Sequence, residues 1–308
     1  MSYRTLNYIL FLRFLQLEII YEKAGDIMDK LLIVDGSNLL FQMFYGMPAR
    51  IVNHEGKAIQ GTLGFVGALL KIIRMTHPTH VLAVFDGECG NDRTALDADY
   101  KGNRPDYSEM AEEDTPFSQL PDIYAALDAL GICHGETEDC EADDWIAGYA
   151  RRCGQEVEAV IASQDSDFFQ LITERVSVLR YRGKNTVICD SDYIREKLGI
   201  EPWQYASYKA LTGDTADNIR GIPKVGPKTA AELMNQFQDL ETLLANTDKI
   251  RKPSVRGSIE ASKERIRKND ALIRLNGAAL LPFELPALRW QDGGLTTTQV
   301  LKNIGLRL

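Results

Sequence analysis

Residues 31–35 read Leu-Leu-Ile-Val-Asp, a continuous apolar run that ends in an aspartate. The same pattern occurs at residues 81–86, Val-Leu-Ala-Val-Phe-Asp, and in a looser form at residues 160–165, Val-Ile-Ala-Ser-Gln-Asp. An uninterrupted apolar run of this length is typical of a strand that is buried on both faces of a parallel sheet. The pattern therefore predicts three buried strands, each with an aspartate at or just beyond its carboxyl end.

Helical patterns lie between these runs, with apolar residues at helical spacing in residues 64–75 and 121–130. Strands that alternate with helices predict right-handed crossovers and a doubly wound, mostly parallel α/β sheet. Two further strands are predicted at residues 176–181 and 186–190. From about Glu201 onward the pattern is helical, with turns rich in glycine and proline.

The composition is that of an ordinary globular protein. Of the 308 residues, 44% are hydrophobic and 26% are charged, which excludes a collagen-like, low-complexity or wholly disordered chain. The 35 basic and 44 acidic side chains give a net charge of −9, which argues against a protein that coats nucleic acid by bulk charge. Five cysteines without paired spacing indicate reduced thiols, and Cys133, His134 and Cys140 lack the second ligand pair of a zinc finger.

The first 28 residues differ from the rest. Residues 8–20 are apolar but are interrupted by Arg13 and Glu18, and they are too short to span a bilayer. No small-residue cleavage site of a signal peptide follows them. We therefore expect Met28, directly before the first strand, to be the natural start, and residues 1–27 to be a non-native or disordered extension.

Acidic side chains are concentrated where the predicted sheet would bind a ligand. The carboxyl ends of parallel strands meet at one edge, where α/β proteins bind their ligands. Nine carboxylates in five clusters are candidates: Asp35, Asp86, Glu141, Asp143, Asp144, Asp165, Asp167, Asp214 and Asp217. Any single cluster is equally consistent with a helix cap, but nine converging carboxylates repel one another unless cations neutralise them. Oxygen ligands without histidine favour Mg²⁺ and two-metal phosphoryl chemistry over zinc or iron.

Basic residues are concentrated later in the chain. Residues 248–274 contain nine basic and four acidic side chains. The preceding segment, residues 221–230, reads Gly-Ile-Pro-Lys-Val-Gly-Pro-Lys-Thr-Ala and resembles a phosphate-binding P-loop. However, Pro227 interrupts the required Gly-Lys-Thr sequence and no strand precedes it, so ATP binding is not supported. Since the nine acids account for the whole net charge, the acidic total does not exclude DNA binding.

Taken together, these motifs resemble the 5′ nuclease family, which includes the 5′→3′ exonuclease domain of bacterial DNA polymerase I, phage 5′ exonucleases and flap endonucleases. The resemblance covers roughly residues 30–283, and its motifs occur in the family's order and spacing. They are residues 34–37, 85–87, 100–104, 141–144, 165–167, 212–218 and 221–230.

The resemblance implies a fold and a domain organisation. Residues 28–200 would form a PIN-like or resolvase-like α/β nuclease domain, with a helical arch at about residues 88–120. Residues 201–280 would form a helix–three-turn–helix DNA-binding subdomain, and residues 281–308 a C-terminal tail. No polymerase sequence follows, so the chain is more similar to a stand-alone bacterial exonuclease than to a fragment of a polymerase.

The resemblance also implies a role for each acid, with two Mg²⁺ or Mn²⁺ ions per active site. The first metal would be held by Asp35, Asp86, Glu141 and Asp143. The second would be held by Asp143, Asp165, Asp167 and Asp217, with Asp144 and Asp214 acting indirectly or through water. Lys101 and Arg104 match catalytic residues that reach the scissile phosphate and offset its charge.

The expected DNA contacts come from three parts of the chain. The candidates are Phe41, Arg93, Tyr100, Gly221, Lys224, Gly226, Lys228 and Thr229. In the family the hairpin of residues 221–230 grips the duplex backbone together with a monovalent cation, here K⁺. Phe41-Gln42 replaces the Tyr-Arg of polymerase-linked members, which leaves an aromatic ring for base stacking but removes a guanidinium that would contact phosphate.

These observations predict a structure-specific 5′→3′ exonuclease and 5′-flap endonuclease that leaves 5′-phosphate products. Its substrates would be DNA with 5′ ends, flaps or nicks, including RNA-primed ends, in replication and repair. We expect a monomer in the bacterial cytoplasm, associated with the nucleoid and not with a membrane. Two alternatives remain open at this point: a PIN-type single-strand ribonuclease and a non-catalytic binder of DNA junctions.

Overall fold

A six-stranded sheet forms the centre of the protein. The computed structural model describes residues 29–87, 92–105, 107 and 110–306. The strand order is β3-β2-β1-β4-β5-β6. The strands are β1 Lys30–Asp35, β2 His80–Phe85, β3 Cys133–Glu136, β4 Glu158–Ala162, β5 Val176–Arg180 and β6 Val187–Cys189. All neighbouring pairs are parallel except β5 and β6, which are antiparallel.

The three strands predicted from apolar runs are β2, β1 and β4, side by side in the middle of the sheet. Residues 31–34 of β1 have no solvent-exposed surface, because helices cover both faces of the sheet. Alternate residues point to opposite faces, so that Leu32 and Val34 belong to one core and Leu31 and Ile33 to the other. The prediction of a mostly parallel α/β sheet is confirmed.

Helices α1 Gly36–Gly46, α2 Gln60–Thr76 and α4 Leu120–Ala129 cover the first face. Helix α5 Ala142–Cys153 covers the second face, through Ile146 and Ala147. The two helices predicted from sequence correspond to α2 and α4. The strand β3 was not predicted, because its sequence Cys-His-Gly-Glu is polar and only partly buried at the edge of the sheet.

The segment predicted as a helical arch contains little regular helix. In its described part, α3 Asp92–Leu96 has five residues, and two 3₁₀ turns follow at Glu112–Asp114 and Pro116–Gln119. Turns connect these elements, and Lys101 has a left-handed backbone with φ of 56°. An extended helical arch is therefore not present among the described residues of this segment.

The chain after β6 is mainly helical, as predicted. Its helices are α6 Ser191–Leu198, α7 Tyr205–Thr212, α8 Pro227–Phe237, α9 Leu240–Ala245, α10 Pro253–Ala261 and α11 Lys263–Ile273. A two-stranded hairpin, β7 Gly213–Asp214 and β8 Ile219–Arg220, connects α7 to the loop before α8. The apolar residues of these helices join the core on the second face of the sheet, so this region packs directly on the α/β layer.

The C-terminal residues return to the α/β layer. Trp290 is buried, and its indole Nε1 donates a hydrogen bond of 2.9 Å to the carbonyl of Leu130. Helix α12 Thr297–Asn303 follows, and its Val300 packs against α2 and α4. The segment expected only as a tail is thus part of the core. None of the described helices is long and apolar enough to cross a membrane. The predicted extension, residues 1–27, lies outside the described residues.

Candidate active site

The strand-terminal aspartates act as local hydrogen-bond acceptors as well as candidate ligands. Asp35 ends β1 and caps α1, accepting a hydrogen bond of 3.0 Å from the backbone N–H of Asn38. Its second oxygen accepts a hydrogen bond of 2.7 Å from the hydroxyl of Ser163. Asp86 follows β2 and accepts a hydrogen bond of 2.9 Å from the backbone N–H of Ala142, the first residue of α5. Both carboxylates are thereby fixed at the same edge of the sheet.

Five acids line one cleft at this edge, with a volume of about 590 Å³. Asp35 and Asp86 come from the strand ends, Glu141 and Asp143 from the start of α5, and Asp165 from the loop after β4. The structure therefore brings together all four acids implied for the first metal and two of those implied for the second.

Three of the four remaining acids form a second group. Carboxylate oxygens of Asp167, Asp214 and Asp217 lie within 4.8 Å of one another. Asp167 Oδ1 is buried and has no hydrogen-bond partner among the described residues. A buried carboxylate oxygen without a donor is costly in a protein interior, and a divalent cation would satisfy it. The donor set, oxygen only and without histidine, fits Mg²⁺ or Mn²⁺.

The acid groups are held in an unfavourable electrostatic environment. Burial, together with the nearby charges of Asp86 and Asp165, raises the pKa of Asp35 to about 7. Burial is also the main reason why the pKa values of Asp143, Asp167 and Asp217 lie above their ordinary range. Crowded, buried carboxylates at neutral pH require compensating positive charge.

Lys101 and Arg104 supply part of that charge. Lys101 Nζ lies 2.5 Å from Glu141 Oε1, and both residues line the cleft. Arg104 Nη2 lies 3.1 Å from Asp217 Oδ1, and its side chain is 56% exposed. The backbone N–H of Lys101 also donates to the carbonyl of Asp217, so the two catalytic candidates and the second acid group share one anchored segment. This arrangement agrees with their implied role beside a phosphate.

Asp144 and Asp214, implied as indirect ligands, each contact a basic side chain. Asp144 accepts hydrogen bonds from Arg93 and from the backbone N–H of Asn276. Asp214 pairs with Lys209 and accepts a hydrogen bond of 2.8 Å from the backbone N–H of Ala216. Lys209 was not predicted from the sequence. Its contact with Asp214 depends on the sharp turn between α7 and β7, which no sequence motif indicated.

Two residues expected to contact DNA are instead buried. Arg93 and Tyr100 are each only 6% exposed. Arg93 pairs with Glu141 and Asp144, and the Tyr100 hydroxyl lies 3.4 Å from Glu141 Oε2. Their polar groups are engaged inside the protein, so the structure assigns them to the interior and not to a DNA-facing surface.

Three aromatic rings line the same cleft as the acids. Phe41 on α1 makes edge-on contacts with Tyr107 and Phe117, with ring centroids 5.9 Å and 5.6 Å apart. All three rings line the cleft. Gln42 Nε2 donates a hydrogen bond of 2.7 Å to the carbonyl of Tyr181, at the end of β5. Sequence reasoning found Phe41 but missed Tyr107 and Phe117, which carry no motif of their own.

The hairpin of residues 221–230 leads into α8. Gly226 caps this helix and Pro227 occupies its first position. Lys224, Gly226 and Lys228 are exposed, and Thr229 is half-buried. Lys224 has a left-handed backbone with φ of 64°. Gly221, in contrast, is tightly packed against the end of α7.

The fold is shared with solved structures of a phage 5′-exonuclease and of Rad2. One solved neighbour is the phage T5 D15 flap endonuclease in complex with DNA and metal ions, with a TM-score of 0.66 and 22% identity over 80% of this chain and 89% of that chain. Another is the catalytic core of Rad2 in complex with a DNA substrate, with a TM-score of 0.58 and 18% identity over 91% of this chain and 90% of that chain. At these identities the likeness establishes the fold.

Sequence comparison identifies the family. Residues 30–199 match the profile of the N-terminal resolvase-like domain of 5′-3′ exonucleases, and residues 200–294 match that of their C-terminal SAM fold. DNA polymerase I of Rhizobium leguminosarum is 35% identical over 84% of this chain and 26% of that protein. DNA polymerase I of Bacillus subtilis is 32% identical over 88% of this chain and 30% of that protein. The chain belongs to the 5′-3′ exonuclease family of metal-dependent nucleases, and it spans under a third of the length of these relatives.

Proposed function

We propose that this protein is a divalent-metal-dependent 5′→3′ exonuclease and 5′-flap endonuclease that hydrolyses DNA and leaves 5′-phosphate products. The observation that carries this proposal is the single cleft in which five carboxylates, Lys101 and Arg104 face one another. Carboxylates at this density suit metal binding, and basic side chains on the same wall suit a phosphate.

Two groups of acids would hold the metals, with Asp143 shared between them. Asp35, Asp86 and Glu141 would complete the first group, and Asp165, Asp167 and Asp217 the second. When bound, the two metal ions supply a nucleophile at neutral pH and stabilise the charge on the reacting phosphate. Two observations support this assignment: Oδ1 of Asp167 has no hydrogen-bond donor among the described residues, and the pKa of Asp35 is raised.

The chain's own residues would orient the substrate. Arg104 is exposed enough to reach a phosphate while its anchored backbone limits its movement. Lys101 is held at the cleft wall by Glu141, where its ammonium can stabilise the negative charge that develops on the reacting phosphodiester. Phe41, Tyr107 and Phe117 offer ring surfaces on which the terminal bases can stack.

The duplex would be bound outside the cleft. The exposed Lys224 and Lys228 flank the amino end of α8, where the helix dipole favours a phosphate. Residues 248–274, which follow α8 and α9 along the chain, add nine basic side chains that could also contact the duplex. Such contacts read the backbone and not the bases, so we expect structure specificity without sequence specificity. K⁺ at the hairpin, RNA-primed substrates, a monomeric state and association with the nucleoid are parts of this proposal.

Two substitutions separate binding from cleavage. We expect Asp165→Ala and Asp217→Ala to bind a 5′-flap DNA in Ca²⁺ with near wild-type affinity but to lose cleavage in Mg²⁺, because each removes a metal ligand. Glu196→Ala, on the exposed face of α6, is the matched control and should cleave normally. Gel shifts and cleavage of a labelled flap measure both properties. Full cleavage by either active-site variant would contradict the metal assignment.

A substrate panel tests the alternatives. Flap DNA, nicked DNA and single-stranded RNA should be compared at equal concentration in Mg²⁺. We expect the flap and the nick to be cut and the RNA to be spared. Preferred cleavage of single-stranded RNA would favour a ribonuclease, and tight junction binding without any cleavage would favour a non-catalytic binder. A blocked 5′ end that prevents cutting would support threading of a free end.

A further inference from the structure

Arg93 joins three separate parts of the protein. Its backbone belongs to α3, beyond β2. Its guanidinium Nη1 lies 2.5 Å from Glu141 Oε2, and Nη2 lies 2.8 Å from Asp144 Oδ1, both at the start of α5. Its Nε donates a hydrogen bond of 3.0 Å to the carbonyl of Leu272, near the end of α11. A single side chain thus connects the segment that carries Lys101 with the acidic helix and with the helical region.

The contacts of Arg93 fix the direction of Glu141. Arg93 takes Oε2 of this carboxylate and Lys101 takes Oε1. Glu141 is the residue that begins α5 and is itself buried. A carboxylate held from both sides keeps one rotamer, as residues around metal ligands commonly do. Without Arg93, Oε2 of Glu141 would lose its charged donor and keep the longer contact of 3.4 Å with the Tyr100 hydroxyl.

Asp144 contacts Arg93 and does not line the cleft. Its Oδ1 accepts from Arg93 Nη2 and, at 2.7 Å, from the backbone N–H of Asn276, while its Oδ2 lies 3.1 Å from Arg93 Nη1. The carboxylate is buried and is absent from the lining of the cleft, which includes its neighbour Asp143. Asp144 therefore neutralises Arg93 and links α5 to the chain just after α11.

An arginine is required by this geometry. The planar guanidinium donates to two carboxylates and a backbone carbonyl at once, in fixed directions. A lysine would keep the charge but present it as a single point, so it could not hold both carboxylates in the same orientation. A methionine would keep most of the volume, but it would leave the buried Asp144 without its cation and Glu141 with Lys101 alone.

We propose that Arg93 is a positioning residue, which acts through Glu141 to align the metal-binding acids and which, paired with Asp144, couples the catalytic segment to the helical region. This inference rests on the proposed function, and it replaces a DNA contact by a structural role inside the active site. It therefore predicts a defect in turnover and metal binding, whereas a DNA contact predicts a defect in DNA affinity.

The test compares Arg93→Met with Arg93→Lys, and uses Arg195→Met on the exposed face of α6 as the matched control. We expect Arg93→Met to lower kcat and the Mn²⁺ affinity, measured by electron paramagnetic resonance without DNA, by about 10-fold or more. KM for flap DNA should change less than about 3-fold, and Arg93→Lys should restore only part of kcat. The control should match the wild type.

The salt dependence of DNA binding separates the two roles. The slope of log Kd against log salt concentration, measured in Ca²⁺, should be unchanged in Arg93→Met. In Arg104→Met the slope should decrease by the amount that corresponds to about one phosphate contact. A reduced slope with a weaker Kd in Arg93→Met, at unchanged kcat, would overturn the proposal. So would a wild-type kcat together with wild-type Mn²⁺ affinity.

A double substitution keeps the test decisive if Arg93→Met fails to fold. Arg93→Met combined with Asp144→Leu removes both buried charges and should fold, while kcat and Mn²⁺ affinity stay low because Glu141 is then held by Lys101 without Arg93. Recovery of both by the double variant would overturn the positioning role. If the wild type cuts no DNA, the proposed function fails, but the Mn²⁺ titration still decides whether Arg93 positions the acids.

Discussion

Gly221 and Gly226, both candidate DNA contacts, are expected to respond differently to the same substitution. A Cβ at Gly221 would lie 2.2 Å from the carbonyl oxygen of Thr212 and 2.5 Å from its carbon. The next residue is pinned, because the backbone N–H of Ile222 donates a hydrogen bond of 2.8 Å to the carbonyl of Leu211 in α7. A Cβ at Gly226 would meet no atom within 4 Å.

The loss of stability expected for Gly221→Ala follows from these distances. The Cβ of Gly221→Ala would clash with backbone atoms of Thr212, and the hydrogen bond of Ile222 holds the chain in place on the other side. A side-chain rotation therefore cannot relieve the clash. We estimate that Gly221→Ala lowers the free energy of unfolding by about 3 kcal/mol, at the upper end of the usual cost of overpacking. In a protein of 308 residues that corresponds to a decrease in Tm of roughly 5 °C.

Gly226→Ala is the matched control. Gly226 has φ of −91° and ψ of 179°, an extended conformation that alanine adopts without strain. The substitution replaces a favourable N-cap residue by an unfavourable one, which costs about 1 kcal/mol or less. Its backbone N–H is retained, so DNA affinity should also be retained.

Thermal unfolding followed by far-ultraviolet circular dichroism compares the two variants, and cleavage of a flap DNA at 25 °C adds a functional measurement. Because Gly221 follows the hairpin that carries Asp214, we expect Gly221→Ala to lower kcat as well as Tm. Equal Tm values for the two variants, within about 2 °C, would refute the packing argument, since about 1 kcal/mol shifts Tm by this much.

Two further predictions concern pH and the C-terminal segment. Because the pKa of Asp35 is raised to about 7 by burial, the folded protein binds more protons than the unfolded chain between about pH 4 and 7, so in EDTA stability should fall as pH rises. Mg²⁺ should therefore raise Tm more at pH 8 than at pH 5, and a Tm in EDTA that rises over this range would contradict the assignment. Removal of residues 289–308 eliminates the buried side chains of Trp290, Val300 and Leu301. We expect it to lower the free energy of unfolding by about 5 kcal/mol. Thermal unfolding measures this loss, and a wild-type Tm would show that the segment does not stabilise the sheet.

The central strands and the acids at their ends could be predicted from the sequence for one physical reason. A strand buried on both faces must be apolar throughout, so β1, β2 and β4 are visible as uninterrupted runs. The parallel arrangement then places whatever follows each run at one edge. A residue that directly follows a central strand in the sequence therefore lies at this edge in the fold. This relation helps to explain why five of the nine acids line one cleft.

Edge strands and long-range partners could not be predicted in this way. The strand β3 contains Cys133 and His134 because it has only one neighbour and is partly exposed, so no apolar run marks it. Arg93 was predicted to contact DNA because it is one of the basic residues in the segment that resembles the family's helical arch. Its burial depends on the carbonyl of Leu272, which lies 179 residues away and follows no local pattern.

The charge balance of the site connects these findings to the number of metals. Among the described residues, basic side chains lie within 4.0 Å of Glu141, Asp144, Asp167, Asp214 and Asp217. The four basic residues are Arg93, Lys101, Arg104 and Lys209. No ion pair within this distance is found for the other four acids, Asp35, Asp86, Asp143 and Asp165, in the part of the chain that the structure describes. Their four negative charges equal the charge of two divalent cations, so the internal ion pairs and two metals would together neutralise nearly the whole site. A site balanced in this way can accept a negatively charged phosphate, which nine uncompensated carboxylates would repel.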